Sequence, residues 1–242
     1  MSTYPPYTPP PTLPPPPSQG SGTTIDFARC FTFVFEDPAW VKKIVIGGLF
    51  YLACFVLIGI PFVLGYVAQL CRNVISGAAR PLPEWDDASG YFAEGLKLVA
   101  VAFVYTLPLL ILYGVMIGGA IGLGSLDHGN SGLGGMIALF SGGLGCLIFF
   151  LVLAVALFLP AALIRIAATG NMSEGFNFSG NLAFIKANLS NYLLALVVQL
   201  LANFISQFGV ILFCVGIVFT AFWGVCVGAY AFADAYRLAS VK

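Results

Sequence analysis

The chain has 242 residues, 60% hydrophobic and only 8% charged, with ten basic residues balanced by ten acidic ones. Soluble domains carry about 25% charged residues, so this chain cannot cover a water-facing surface. Its zero net charge removes any electrostatic case for a nucleic-acid partner. The fold class that follows is an all-α, polytopic transmembrane helix bundle whose first partner is the lipid bilayer.

Residues 1–22 form a tail, YPPYTPPPTLPPPPSQGSG after the first three residues, with nine prolines between Pro5 and Pro17. Proline fixes φ and removes the backbone donor, so the tail is expected to be disordered, extended as polyproline II and outside any packed core. It reads as a solvated spacer, or as a ligand for an aromatic-lined groove on a cytoplasmic partner. The N-terminus has neither the basic n-region nor the apolar h-region of a signal peptide, so insertion is expected to begin at the first apolar span.

Thr24 to Trp40, TIDFARCFTFVFEDPAW, places Phe27, Phe31, Val34 and Phe35 at helical spacing against Asp26, Arg29 and Glu36. The pattern predicts a short amphipathic helix lying in the membrane interface. Pro38 ends it, and Trp40 suits the headgroup level.

Apolar runs then predict about six spans, near 41–58, 60–75, 96–123, 136–164, 192–208 and 209–236, arranged as three hairpins in one domain over residues 23–242. The first two are the least clear. Val41 to Ile75 is long for one span and short for two, with Gly59-Ile60-Pro61 either a kink or a turn. Charge favours the turn. With a hairpin there, Arg29, Lys42, Lys43, Arg72, Arg80, Lys97, Arg165, Lys186, Arg237 and Lys242 all fall on one face, and the opposite loop Gly124–Gly135 has no basic residue. The positive-inside rule makes that face, with both termini, cytoplasmic. The same pattern gives an internal repeat of three units, about Thr24–Arg72, Leu82–Arg165 and Asn171–Arg237, related by an axis along the membrane normal.

Arg72 to Lys97 is the longest polar break and reads as a surface strap. Glu84, Asp86 and Asp87 offer carboxylates for a divalent cation or a basic partner. They equally suit local structure, with Pro81 and Pro83 keeping the strap extended, Trp85 anchoring it and Asp86 or Asp87 capping the next helix. In the fifth span Gln199, Asn203, Ser206 and Gln207 share one face. Amides in hydrocarbon need partners, so the face either lines a polar pathway or bonds to neighbouring helices. Asp234, about one turn before Arg237, is placed to pair with a basic neighbour. Gly114, Gly118 and Gly122 make a small-residue ridge on the third span, and Gly216, Thr220, Gly224 and Gly228 make another on the sixth. Such ridges let helices approach closely, within the chain or between chains.

Little else suggests chemistry. The six cysteines are scattered, with no CxxC pair, and His128 beside Asp127 is the only histidine. A zinc site needs clustered ligands, so no metal and no cofactor is expected. No phosphate-binding loop, dinucleotide fingerprint, HExxH or GxSxG pattern occurs, and no ionisable group falls near mid-span, so neither a proton pump nor an intramembrane enzyme is expected.

Four stretches carry a family resemblance: FVFEDPAWVKKIVIGG, LGYVAQLCRNVISG with LPEWDD, GLKLVAVAFVYTLPLL, and FLPAALIRIAATGNMSEGFNF with IKANLSNYLLAL. Over roughly Ile25 to Leu238 the chain resembles the prokaryotic integral-membrane proteins grouped as domain of unknown function 4013. The resemblance implies a bacterial or archaeal cell membrane and transfers no catalytic residue. The expectation is therefore a non-enzymatic scaffold or accessory subunit contacting other membrane proteins through helix packing. The alternative is a transporter or channel-like protein for a small solute, using the amide face of the fifth span. A third reading is an enzyme acting on lipid headgroups at the acidic strap.

Overall fold

Where water is absent, each segment must satisfy its own backbone groups, and apolar runs become helices. The computed structural model describes residues 23–125, 131–211 and 216–240, with 123–125, 131–133 and 136–138 as backbone only. The proline-rich tail, Asp127, His128, Cys214 and Lys242 lie outside the described residues. Every regular element among those described is helical.

The chain enters through α1 (Phe27–Thr32), whose cap Asp26 accepts a hydrogen bond from the Arg29 N–H at 3.1 Å. A 3-10 turn, Phe33–Glu36, follows. The tighter turn breaks the 3.6-residue period and turns Phe33 inward beside Val34. Cys30, Phe33 and Val34 are buried, whereas Phe27 and Phe35 are exposed. This segment meets the next at a 100° bend.

Helix α2 (Trp40–Leu52) ends in a 3-10 turn, Ala53–Val56. Leu57 then adopts φ 65°, a left-handed conformation rare for a leucine, and α3 (Gly59–Ile75) runs back. Gly59 lies against the Phe50 carbonyl, where a Cβ would collide with backbone. Phe50 and Phe62 stack at 4.7 Å across the turn. Residues 41–75 thus form a hairpin, not one kinked helix.

Two long helices follow, α4 (Ala88–Ser125) and α5 (Ser131–Thr169), containing Pro108 and Pro160. Helix α4 begins well before the apolar run at residue 96, because its first turns pack on α3. Gly65 meets the Tyr91 backbone and Gly95 the Pro61 backbone, in each case closer than any Cβ would allow. A 3-10 turn (Met172–Phe176) and α6 (Phe178–Ala187) lead to α7 (Leu189–Gln207), which ends in a further 3-10 turn, Phe208–Ile211. The final helix α8 (Gly216–Ser240) packs on α2, α3 and α7 and is buried without a break from Cys226 to Ala235.

Among the described residues, four helices are long and apolar enough to cross a membrane, within Ala88–Gly122, Leu139–Thr169, Leu189–Ile211 and Gly216–Ser240. The count is five if the bent pair Phe27–Glu36 and Trp40–Val56 is one span, and Gly59–Ile75 is shorter. The fold is a multi-spanning membrane helix bundle.

Candidate functional site

The polar strap does not lie flat on the surface. Its first half folds into the end of the bundle, burying Pro81, Leu82 and Pro83. Three donors hold its carbonyls. Asn73 donates to Pro81 at 2.9 Å, Lys43 to Leu82 at 2.9 Å, and the Tyr66 hydroxyl to Pro83 at 3.0 Å. Prolines suit this seat, since an extended strand fixed by outside donors does not need their missing N–H groups.

Lys43 is the centre of the plug. Its residue is 3% exposed, and its ammonium lies 2.6 Å from Asp37 and 2.7 Å from Glu84. A lone buried ammonium would be costly, but two carboxylates and a carbonyl occupy its three donors. Burial alone would raise the Asp37 carboxyl. The Lys43 hydrogen bond and the Ala39 N–H at 2.8 Å outweigh it and hold that group below the ordinary carboxylate value. Trp85 donates its indole N–H to the Lys43 carbonyl at 3.0 Å. Its ring stacks on Tyr66 at 4.2 Å and on Phe50 at 4.8 Å. An open cleft of about 420 Å³ beside the plug is lined by Asp37, Lys43, Asn73, Arg80 and Glu84.

Of the strap carboxylates singled out in the sequence, Glu84 is therefore engaged by Lys43. Asp87 caps α4, accepting from the Gly90 N–H at 2.8 Å and from the Ser89 hydroxyl at 3.1 Å. Asp86 is exposed. Among the described residues, no group of three or more His, Cys, Asp or Glu is placed to hold a metal ion.

Two arginines at the ends of returning helices pair with glutamates of the following segment. Arg72 of α3 bonds Glu94 at 3.0 Å, and Arg165 of α5 bonds Glu174. Around Arg165 a second plug forms that sequence reasoning did not anticipate. Asn181, fully buried, donates to the Tyr105 hydroxyl at 3.2 Å and the Gly175 carbonyl at 3.1 Å and accepts from Arg165 at 3.0 Å. Tyr105 also donates to Gly175 at 2.7 Å. The sequence signal for it was an asparagine set close to Phe178, Leu182, Phe184 and Ile185. At the last returning end, Asp234 accepts from Arg237 on its own helix at 2.6 Å.

The amides and hydroxyl of the fifth predicted span divide between two settings. Ser206 donates to the Thr220 carbonyl at 2.7 Å, and Thr220 returns a bond to Ser206 at 2.8 Å, so these groups join α7 to α8. Gln199 instead donates to Asn203 at 3.0 Å, and both line a cavity of about 400 Å³. Helices α3 and α8 floor that cavity, and α5 and α7 wall it, joined to each other where the Tyr192 hydroxyl of α7 donates to the Leu157 carbonyl of α5 at 2.5 Å. Its other lining residues are apolar, among them Leu64, Leu98, Leu163, Leu196 and Phe232. Gln207 is exposed at the far end of α7.

The glycine ridges also diverge. On α8, Gly224 meets Ser206 and Ala202, Gly228 meets Gln199, and the Gly216 carbonyl accepts from Thr220 at 3.1 Å. On α4, a Cβ added at Gly114 or Gly118 would meet nothing within 4 Å, and the same holds for Gly142, Gly143 and Gly145 of α5. Gly122 continues the α4 ridge one turn on.

Apolar helices of spanning length, ion pairs gathered at their ends and helix-to-helix hydroxyl bonds define a multi-pass integral membrane protein. The family model described as "Protein of unknown function (DUF4013)" matches residues 48–233, most of the chain, and the protein belongs to that family. No curated protein matches the chain, and no solved structure does.

Proposed function

We propose that this protein is a non-enzymatic membrane scaffold or accessory subunit that receives a partner helix along the glycine face of α4 and α5. The observation supporting it is the contrast between ridges: those of α8 are filled by α7, whereas Gly114, Gly118, Gly142 and Gly143 face open space. Close backbone approach is what such ridges provide, and lipid tails do not need it. The buried ionic groups are held by structural partners, which speaks against a reaction centre. Gln199 and Asn203 bond one another in an apolar cavity, which speaks against a solute conduit.

The topology we infer keeps both termini on the cytoplasmic face of the cell membrane, with the basic residues. The α2–α3 hairpin is short. At about 1.5 Å per residue each arm reaches roughly 25 Å, against a hydrocarbon core of about 30 Å. Its tip, Phe55–Ile58, is wholly apolar and exposed, as suits a turn ending in lipid. We therefore read four full crossings and one re-entrant hairpin in place of six crossings, which leaves the side of every basic residue unchanged. The proline-rich tail serves as a cytoplasmic spacer.

The test is isolation of the full chain in mild detergent and identification of co-isolated membrane chains. A Gly118→Leu variant should insert and purify normally but lose its associated chain. Retention of that chain by Gly118→Leu would overturn the proposal.

A further inference from the structure

We infer that residues 23–32 form a latch, a segment that swings off α8 as a unit while the rest of the bundle stays closed. Asn191 of α7 donates to the Thr23 carbonyl at 3.0 Å and accepts from the Ile25 N–H at 3.2 Å. Asn188 accepts from Asn191 at 3.0 Å and donates in turn to the Ala235 carbonyl of α8 at 2.7 Å. The N-terminal segment is thereby seated on the last two helices, much as the 81–83 strap is seated on α2 and α3. The two seats differ in strength. Lys43 brings charge to its strap, whereas Asn191 offers neutral amide bonds, which are roughly half as strong. Water can replace them, because Thr23 and Thr24 are exposed.

The contact between α1 and α8 is also incompletely satisfied. Among the described residues, two buried side-chain nitrogens lack a hydrogen-bond partner, Arg29 Nε and Trp223 Nε1. Arg29 belongs to α1, and the Trp223 ring of α8 meets Phe31 of α1 at 6.1 Å. A buried donor without an acceptor works against the closed state, and opening returns the Arg29 nitrogen to water. Ile25 and Cys30, both buried, supply the apolar hold on the moving part. The hinge is the junction at Phe33, where α1 gives way to the 3-10 turn. Beyond it Phe33 stacks on Tyr230 of α8 at 4.4 Å, which pins the fixed side. The ion pair across the hinge, Arg29 with Glu36, is long at 3.4 Å. The proline-rich tail runs straight into Thr23, so tension on the tail falls first on the neutral Asn191 seat.

Cys30 reports the opening. It is fully buried, and burial pushes its thiol up to about 12, so it stays inert to a maleimide until the segment leaves α8. Cys71 of α3 and Cys226 of α8 are buried too and report opening of the bundle as a whole. The experiment treats the full chain in phosphatidylcholine nanodiscs with N-ethylmaleimide near neutral pH and follows each cysteine by mass spectrometry. Local opening needs less free energy than global opening, so Cys30 should react at least about tenfold faster than Cys71 and Cys226. Asn191→Ala should raise the Cys30 rate about fivefold, the worth of a neutral hydrogen bond, and leave the other two unchanged. Hydrogen exchange on the unaltered chain keeps the inference testable if that variant does not fold. The Ile25 and Cys30 amides, bonded to Asn191 and to the Asp26 carbonyl, should share one protection, below that of α8. Cys30 reacting no faster than Cys71 and Cys226, a uniform rise of all three in Asn191→Ala, or unequal protection of the two amides would overturn it.

Discussion

Lys43 and Asp37 form a buried ion pair at 2.6 Å, with side chains only 4% and 7% exposed. Glu84 reaches the same ammonium from the strap, 41 residues along the chain. The pair therefore ties the bend before α2 to the strap before α4. Removing one partner strands a buried charge, which costs about 3–5 kcal/mol. Lys43→Met should lower the thermal midpoint of the purified protein sharply, while Glu84→Gln, at a more exposed carboxylate, should have a much smaller effect. Equal midpoints for the two variants would show that the plug does not hold the bundle end.

The same pair sets an acid dependence. Asp37 titrates below its ordinary value of 3.8, so its stabilisation is fully present above that value and is lost as pH falls through the lower, folded one. The thermal midpoint should therefore have an acid-side decline to which Asp37 contributes. Asp37→Asn should be less stable near neutrality and show a shallower decline. A parallel decline in both proteins would remove Asp37 from the account.

Glycines should separate by position. Gly65→Ala and Gly95→Ala drive a methyl into the backbone of Tyr91 and of Pro61. Overpacking of this kind costs about 1–3 kcal/mol. Gly114→Ala meets open space and gains helix propensity of up to about 1 kcal/mol. Thermal denaturation should show loss at the first two positions and none at the third.

Much of this was legible in the sequence, and the limits have physical reasons. Apolar runs locate the long helices because hydrocarbon forces local hydrogen bonding, and an acid before a helix marks the Asp87 cap. The early start of α4 was hidden, because Tyr91 and Gly95 gain their helix from contact with α3 and not from an apolar run. The Lys43 plug was hidden too. Its partners lie six and 41 residues away, at no spacing a helix or strand would flag. The Asn181 cluster depends in the same way on tertiary contacts with Tyr105 and Arg165. For the amides of α7, one face of a helix was visible, but only packing shows that Ser206 meets α8 while Gln199 and Asn203 meet a cavity.

Topology is open to a direct check. In a background free of native cysteines, single cysteines at Ser89 and Ser240 should resist an impermeant thiol reagent added outside intact cells and react after permeabilisation. A cysteine at Leu57 should stay unreactive from outside, since the hairpin tip ends in lipid. Labelling at Leu57 from outside would restore the hairpin as two full crossings.

The central claim is that α4 offers its glycine face to another chain. Photocrosslinking in native membranes tests it, with a benzophenone amino acid placed at Gly118 and, as a control, at Val197 on the lipid-facing side of α7. The account predicts a discrete adduct with a second membrane protein from Gly118 and none from Val197. The absence of an adduct from Gly118, or the same adduct from both positions, would contradict it.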